Sequence, residues 1–269
     1  KLVKGKSYLA EIDLFLGSGN LLFNSGALAK HYIGVDYQRL IPNIYNKLKS
    51  QGESYGAEEF WTVIDEYNNF TTKEDYYTFR DDWNDIFKKD RYDREFVLRT
   101  VLLFKLCSNS MVRYNTKGEF NQGFRGAKPE GFFQVNTIDN IKRELNQLRK
   151  FLRNNPYSFY VANSIDYLEL LPDRNCLILL DPPYVLRKKN MYAKGTYDME
   201  AENKLLDYII STKNDFILFN FVEREEEVHH RLETIMGDFN VINLSTTTGT
   251  GQARKGTKKV QEVIVTNIT

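Results

Sequence analysis

The stretch CLILLDPPY, Cys176 to Tyr184, decides how the rest of the chain is read. Its first five residues form a short apolar run ended by breakers, the pattern of a buried strand. Pro182 and Pro183 cannot extend a sheet ladder, so the chain leaves the sheet rigidly there. One carboxylate, Asp181, and one ring, Tyr184, are thereby fixed at the carboxyl end of a strand, where open α/β sheets bind ligands. An acid, proline carbonyls and a stacking face suit the holding of a flat exocyclic amine. They accept its hydrogens and leave its lone pair pointing outward. The competing reading is a strand, a Pro-Pro turn and a solvated Asp.

A second stretch, AEIDLFLGSGNLLFN (Ala10 to Asn24), reads as strand, Gly-Ser-Gly turn and helix. Gly17 and Gly19 let the backbone turn tightly and approach a ligand closely. No Lys-Ser or Lys-Thr follows them, so this is not a Walker A loop, and the third glycine of a dinucleotide fingerprint is absent. Downstream, HYIGVDYQRL (His31 to Leu40) predicts another strand ending in Asp36, where such folds grip a ribose hydroxyl pair. A Gly-rich turn and a ribose-type acid without a phosphate loop point to an adenosine-containing cofactor lacking a polyphosphate.

The chain has 269 residues, enough for one large or two small domains. Lys plus Arg (37) nearly balances Asp plus Glu (36), so nucleic-acid contact must come from local clusters. Two such clusters stand out: Arg113, Lys117, Arg125 and Lys128, and Arg254, Lys255, Lys258 and Lys259. Solvated faces are the alternative for both. Cys107 and Cys176 lie in apolar runs and read as core thiols, with no disulfide framework or zinc spacing. The histidines show no metal spacing, and His229-His230 is predicted to be exposed on a charged helix. No signal peptide or membrane-length apolar span is visible, so a reduced, cytoplasmic protein is expected. The first residue is Lys, and the chain is expected to begin after a missing or removed segment.

Strand–helix alternation runs to about Lys49 and resumes at Tyr157. Between them, Glu58–Tyr67, Lys73–Asp85 and Tyr92–Leu106 carry helical spacing with many aromatics, read as core more than as a base-stacking platform. Asn136–Arg153 predicts a further helix with Thr137 as its cap. Ser108–Phe133, dense in Gly, Asn and basic residues, reads as an ordered exposed loop or hairpin. Later helices are expected at Ala201–Thr212 and Glu223–Met236, and strands at Phe216–Val222, Asn240–Ser245 and Val260–Asn267. The expected division is a catalytic domain of 1–52 and 155–269, interrupted by a helical domain of 53–154.

These residues resemble, in order and local wording across nearly the whole chain, the Dam-type DNA adenine-N6 methyltransferases of the α group. DLFLGSG (Asp13 to Gly19) is similar to the family's S-adenosylmethionine motif, Asp36 follows at the spacing of its ribose-binding acid, and DPPY matches the catalytic motif in full. The most specific likeness is MVRYNTKGEFNQGF (Met111 to Phe124), which resembles the target-recognition hairpin; RKGTKKVQEVIVTN (Arg254 to Asn267) resembles the terminal loop and strand. DPPY alone also occurs in methyltransferases acting on RNA or on protein glutamine. The family's opening aromatic-x-Gly-x-Lys segment has no counterpart here. Asn121-Gln122-Gly123-Phe124-Arg125 stands where relatives place Pro-Phe-Gly, which leaves the recognised sequence open.

The resemblance implies an α/β fold: a Rossmann-like methyltransferase sheet with an inserted, mainly helical target-recognition domain carrying a β-hairpin. It implies methyl transfer from S-adenosylmethionine to a flipped adenine in double-stranded DNA, at a GATC-like site by family analogy, in a bacterial or phage-infected cell. Asp181, Pro182, Pro183 and Tyr184 become the catalytic residues. Asp13, Phe15, Gly17, Gly19, Asp36, Asp166 and Asp181 become the cofactor residues, with Asp166 alternatively a helix cap. Tyr192 or Tyr197 is a candidate lid, with routine packing as the alternative for each. Met111, Arg113, Asn115, Lys117, Arg125, Lys128, Arg254, Lys258 and Lys259 become the DNA contacts. A catalytically idle nucleic-acid-binding module and an RNA adenine methyltransferase are the rival functions. No metal is implied.

Overall fold

The structure, a computed structural model, describes residues 2–3, 5–108, 112–185, 197–224, 227–245 and 260–269. Strand β4 (Cys176–Leu180) lies inside an eight-stranded sheet, and every one of its side chains is buried. On one side it pairs in parallel with β1 (Ser7–Asp13), followed by β2 (Leu28–Asp36) and β3 (Tyr157–Val161). On the other it pairs in parallel with β5 (Asp215–Arg224). Beyond β5 come β8 (Val260–Thr266), antiparallel to it, and β7 (Asn240–Ser245), antiparallel to β8; the two-residue β6 (Glu227–Val228) also pairs with β5. The order β3-β2-β1-β4-β5-β8-β7 is the expected Rossmann-like sheet, with its topological switch between β1 and β4.

A strand with no polar residue needs both of its faces covered. Cys176, Ile178 and Leu180 join Ala10, Ile12, Phe216 and Leu218 in one core, whereas Leu177 and Leu179 join Tyr8, Ala27 and Ile217 in another. Each Leu, Ile or Phe among them contributes about 1.5–3 kcal/mol by its burial. The first core also takes Leu205, Leu206 and Ile209 of α8 (Met199–Ser211) and Leu232 and Ile235 of α9 (His230–Ile235).

The chain forms two compact units, one from Lys1–Pro42 and most of the chain after Pro156, the other from Asn43–Asn155. The second holds most of α2 (Leu40–Ser50) with α3 (Ala57–Glu66), α4 (Lys73–Lys88), α5 (Arg94–Leu106) and α6 (Val135–Asn154). Thr72 and Asp75 close a reciprocal capping box at the start of α4, and Asp93 caps α5 through the Phe96 N–H. Its aromatics are core: Phe60, Phe70, Tyr76, Phe79, Trp83 and Phe96 are all fully buried, and the Trp83 indole donates to Thr100 at 2.9 Å. Three asparagine amides each grip both backbone groups of a distant residue. Asn69 holds Phe133, Asn84 holds Phe120 and Asn146 holds Tyr55, all at 2.8–3.1 Å.

Three expectations are corrected. Gln134 occupies the N-cap position of α6, so Thr137 lies inside the first turn and is not the cap. The helix expected from Glu223 to Met236 is only α9, because β5 runs on to Arg224 and β6 follows. His229 is buried, not exposed: its Nδ1 accepts the Leu232 N–H and caps α9, and its Nε2 lies 3.2 Å from Glu202. Because Nδ1 accepts, the Nε2 hydrogen donates to the carboxylate. Glu202 is fully buried and also receives the Tyr197 hydroxyl and the Asn220 amide, at 2.6 and 2.7 Å.

Glu11, in the middle of β1, is fully buried with neither carboxylate oxygen hydrogen-bonded. Burial raises its carboxyl to about 7. A raised folded-state value favours the native state below the ordinary carboxyl range and loses that contribution as pH climbs through about 7. Glu11→Gln removes the titration. It should match the parent near pH 5 and exceed it near pH 8, by at most about 3 kcal/mol at 1.36 kcal/mol per pKa unit. Urea unfolding at both pH values checks this; a pH-independent difference would show that the carboxyl titrates alike in the folded and unfolded chain and is not raised by burial.

Candidate active site and hairpin

At the carboxyl end of β1 the chain leaves the sheet in a series of fixed steps. Leu14 donates its N–H to Leu179 of β4 at 3.1 Å, and Leu16 donates to Val35 of β2 at 2.9 Å. Asp13, only 1% exposed, accepts the Phe15 N–H at 3.1 Å and so shapes the turn from beneath. Gly17 and Gly19 follow at φ 49° and 81°, both left-handed. Their smallness serves different ends. A Cβ on Gly17 would meet only the Phe15 carbonyl, at 3.8 Å, which leaves its surface open to a ligand. A Cβ on Gly19 would stand 2.7 Å from the Phe23 ring, so this glycine lets α1 (Asn20–Asn24) pack against its own loop.

Asp36 ends β2 beside this loop. Its Oδ2 accepts the Gly17 N–H and its Oδ1 the Gln38 N–H, both at 2.7 Å. Burial raises its carboxyl above the ordinary range, and those two N–H groups pull it back. Asp13 is raised to about 7: burial raises it most, the Phe15 N–H opposes, and the charges of Asp181, Asp36 and Glu11 add to the rise. Three other acids therefore act on Asp13 at the switch point of the sheet.

Past β4, Asp181 is exposed, Pro182 is buried and Pro183 and Tyr184 are half-buried. The Tyr184 ring lies 4.1 Å from that of Phe221, inclined at 45°. Its hydroxyl is 3.0 Å from Asp181 Oδ1 and 3.0 Å from Glu262 Oε1. Burial and these two carboxylates push the phenol far above its ordinary value.

Asp166, on α7 (Ser164–Tyr167), is exposed; Asn163, not Asp166, caps that helix through the Ile165 N–H. Tyr197 is buried, edge-on to Phe15 at 5.5 Å, with its hydroxyl on Glu202, which is packing and not an open lid. Tyr192 lies outside the described residues. Glu262 and Phe221 were not singled out from the sequence. The available signal was one carboxylate inside the strand-like run VQEVIV.

The second unit presents the hairpin region. Regular strands are replaced by two antiparallel bridges, Cys107 with Phe124 and Tyr114 with Phe120. Tyr76 anchors the segment by donating to the Gln122 carbonyl at 2.8 Å and stacking on Phe124 at 4.9 Å. Asn115 spends its amide on the turn: its Oδ1 accepts from the Lys117 and Glu119 N–H groups, and its Nδ2 donates to Glu119. Lys88 closes on the same Glu119 at 2.9 Å. Arg113, Lys117, Arg125 and Lys128 are exposed, although one Arg125 nitrogen donates to the Lys105 carbonyl at 3.2 Å. Met111, Arg254, Lys258 and Lys259 lie outside the described residues. Among the described residues no cluster of acid, His and Cys side chains could hold a metal ion, and no helix is long and apolar enough to cross a membrane.

The chain is 25% identical over 201 residues to the type II methyltransferase M.MjaIII of Methanocaldococcus jannaschii, a match covering 72% of this chain and 65% of that one. It is 31% identical over 119 residues to a DNA adenine methylase of Serratia marcescens, covering 44% of this chain and 41% of the relative. It is 22% identical over 257 residues to a DNA adenine methylase of Vibrio cholerae, covering 94% and 85%. The chain thus spans less than two thirds of the length of the first two. Residues 4–246 match the family described as D12 class N6 adenine-specific DNA methyltransferase. With that match spanning most of its length, and with DPPY at the end of β4 in a sheet of this order, the chain belongs to the D12 class of N6 adenine-specific DNA methyltransferases.

Proposed function

We propose that this protein transfers a methyl group from S-adenosylmethionine to the N6 of an adenine flipped out of double-stranded DNA. The observation that carries the reading is the group of carboxylates Asp13, Asp36 and Asp181 around an open glycine turn. Burial, with the charges of the neighbouring acids added to it, drives the Asp13 carboxyl up to about 7. Such a site favours a cation, and the proposed cofactor is one. When bound, it supplies an electrophilic methyl on a positively charged sulfur. Asp36 would accept ribose hydroxyls through lone pairs beyond those taken by Gly17 and Gln38. Gly17 would let the backbone approach. Asp13 would hold the loop and contribute charge from below.

Adenine N6 is a weak nucleophile because its lone pair is delocalised into the ring. Asp181 accepting one N6 hydrogen and the Pro182 carbonyl accepting the other would make the nitrogen more tetrahedral. No covalent intermediate is needed, so positioning and local electrostatics supply the rate. Tyr184, steadied by Phe221, would stack on the base, which reaches the site only by leaving the duplex. In the hairpin, Arg113 is the leading candidate for reading a guanine edge, and Arg125 retains free guanidinium donors for the same task. Lys117 and Lys128 would contact phosphates, and Asn115 would act by shaping the turn.

Asp181→Ala should lower methyl incorporation by about 10²–10³ with an unchanged circular dichroism spectrum. Near-parental turnover would remove DPPY from the chemistry.

The cofactor reading has its own check. Affinity for S-adenosylmethionine should rise from pH 6 to 8 as Asp13 ionises through about 7. S-adenosylhomocysteine, whose sulfur is neutral, should show a weaker pH dependence, while Asp36→Ala should weaken both ligands alike. Calorimetric titration reads all three, and equal pH profiles for the two ligands would count against an acid-stabilised sulfonium.

Readout and positioning separate by mutation. Arg113→Ala should cost roughly 1–3 kcal/mol and relax preference at one base pair. Lys117→Ala should instead weaken all sequences and reduce the salt slope by about one. Binding to the mapped site and its single-base variants at two salt concentrations distinguishes them.

A further inference from the structure

Pairing of β5 with β8 runs in regular register from Ile217 to Phe221 and shifts between Phe221 and Glu223. Such a break bends the strand and re-aims the side chains beside it. Phe221 is the last residue before the shift, and its ring lies 4.1 Å from that of Tyr184. A buried amide holds the backbone at this point. Asn220, only 1% exposed, accepts the Phe221 N–H through Oδ1 at 2.8 Å and donates through Nδ2 to Glu202 Oε1 at 2.7 Å. The two partners fix which way the amide faces. Turned over, it would set its hydrogens against an N–H and its oxygen against a carboxylate. Glu202 is fixed in turn by the Tyr197 hydroxyl and the His229 ring, both buried.

We propose that Asn220 is a positioning residue for the flipped base: its amide, oriented by Glu202, sets the backbone at the register break and so aims the Phe221 ring that seats Tyr184. This rests on the function proposed above, in which Tyr184 stacks on the base. Asn220 is buried and acts through Phe221. A buried N–H without an acceptor is costly, so loss of the amide oxygen turns the backbone at the break towards another partner. The Phe221 ring turns with it, and Tyr184 loses the surface it leans on. Gly17 and Asp36 keep their own bond, so the cofactor loop stays in place.

Asn220→Ala should lower kcat/KM for duplex DNA carrying the mapped site about tenfold, the effect of a displaced contact surface. Affinity for S-adenosylmethionine, read by calorimetric titration, should stay parental. The decisive readout is a cycle with Phe221→Leu, followed in rate and in thermal midpoint. The Asn220 bond is to a backbone N–H, which Phe221→Leu keeps. Asn220→Ala should therefore lower the midpoint by a similar amount in both backgrounds. The rate should respond differently. With no ring left to aim, Asn220→Ala should cost less than about twofold in the Phe221→Leu background.

A parental rate in Asn220→Ala, a matching loss of cofactor affinity, or rate losses that add across the cycle would overturn the positioning role while leaving methyl transfer itself intact. No methyl transfer by the unmodified chain would overturn both readings. If Asn220→Ala does not fold, Asn220→Ser takes its place in the same cycle and is judged by the same outcomes.

Discussion

The architecture turns on carboxylates gathered at the ends of adjacent parallel strands, where burial raises Asp13 and Asp36 and neighbouring acids raise Asp13 further. Asp13, Asp36 and Asp181 end β1, β2 and β4 or follow directly, so the ladder that aligns the strands also aligns their charges. Backbone N–H groups are the local remedy. Phe15 serves Asp13, and Gly17 and Gln38 serve Asp36, which fixes the loops as a by-product of easing the acids. A cation bound at the open turn, as in the proposed function, would favour the charged form of Asp13, so stability and the proposed ligand preference would share one physical origin.

Both ends of the buried network around Glu202 bear on the same site. Tyr197 carries the contact to Phe15 on the glycine loop, and Asn220 precedes Phe221, the ring under Tyr184. A carboxylate without solvent is held by three hydrogen bonds from neutral donors, which locks α8, β5 and the start of α9 together.

Much of the sheet was legible because both-face burial writes itself as an unbroken apolar run, as in CLILL, and because glycine and proline mark where strands stop. Asp36 and Asp181 were legible for the same reason: an acid directly after such a run has few places to go. Partners supplied across the fold were not legible. Glu262 reaches Tyr184 from 78 residues away, and His229 was misread as exposed because its partner Glu202 lies on a different helix. Charge density around His229 suggested a solvated face, yet a single buried carboxylate decides its environment. The Glu223–Met236 stretch failed similarly, since pairing with β8 outweighs the helical preference of its glutamates.

The three asparagine clasps of the helical unit bridge 64, 36 and 91 residues. Each depends on an amide having a donor and an acceptor side by side. Slow hydrolysis of such an amide to a carboxylate is an ordinary ageing reaction of proteins. Here it would delete the donor and set a carboxylate oxygen against a carbonyl at 3.0–3.1 Å. At Asn84 of α4 the lesion would release Phe120, one side of the Tyr114–Phe120 bridge of the hairpin. Ageing at that position would register as a loosening of the hairpin, while the sheet and its carboxylates remained intact.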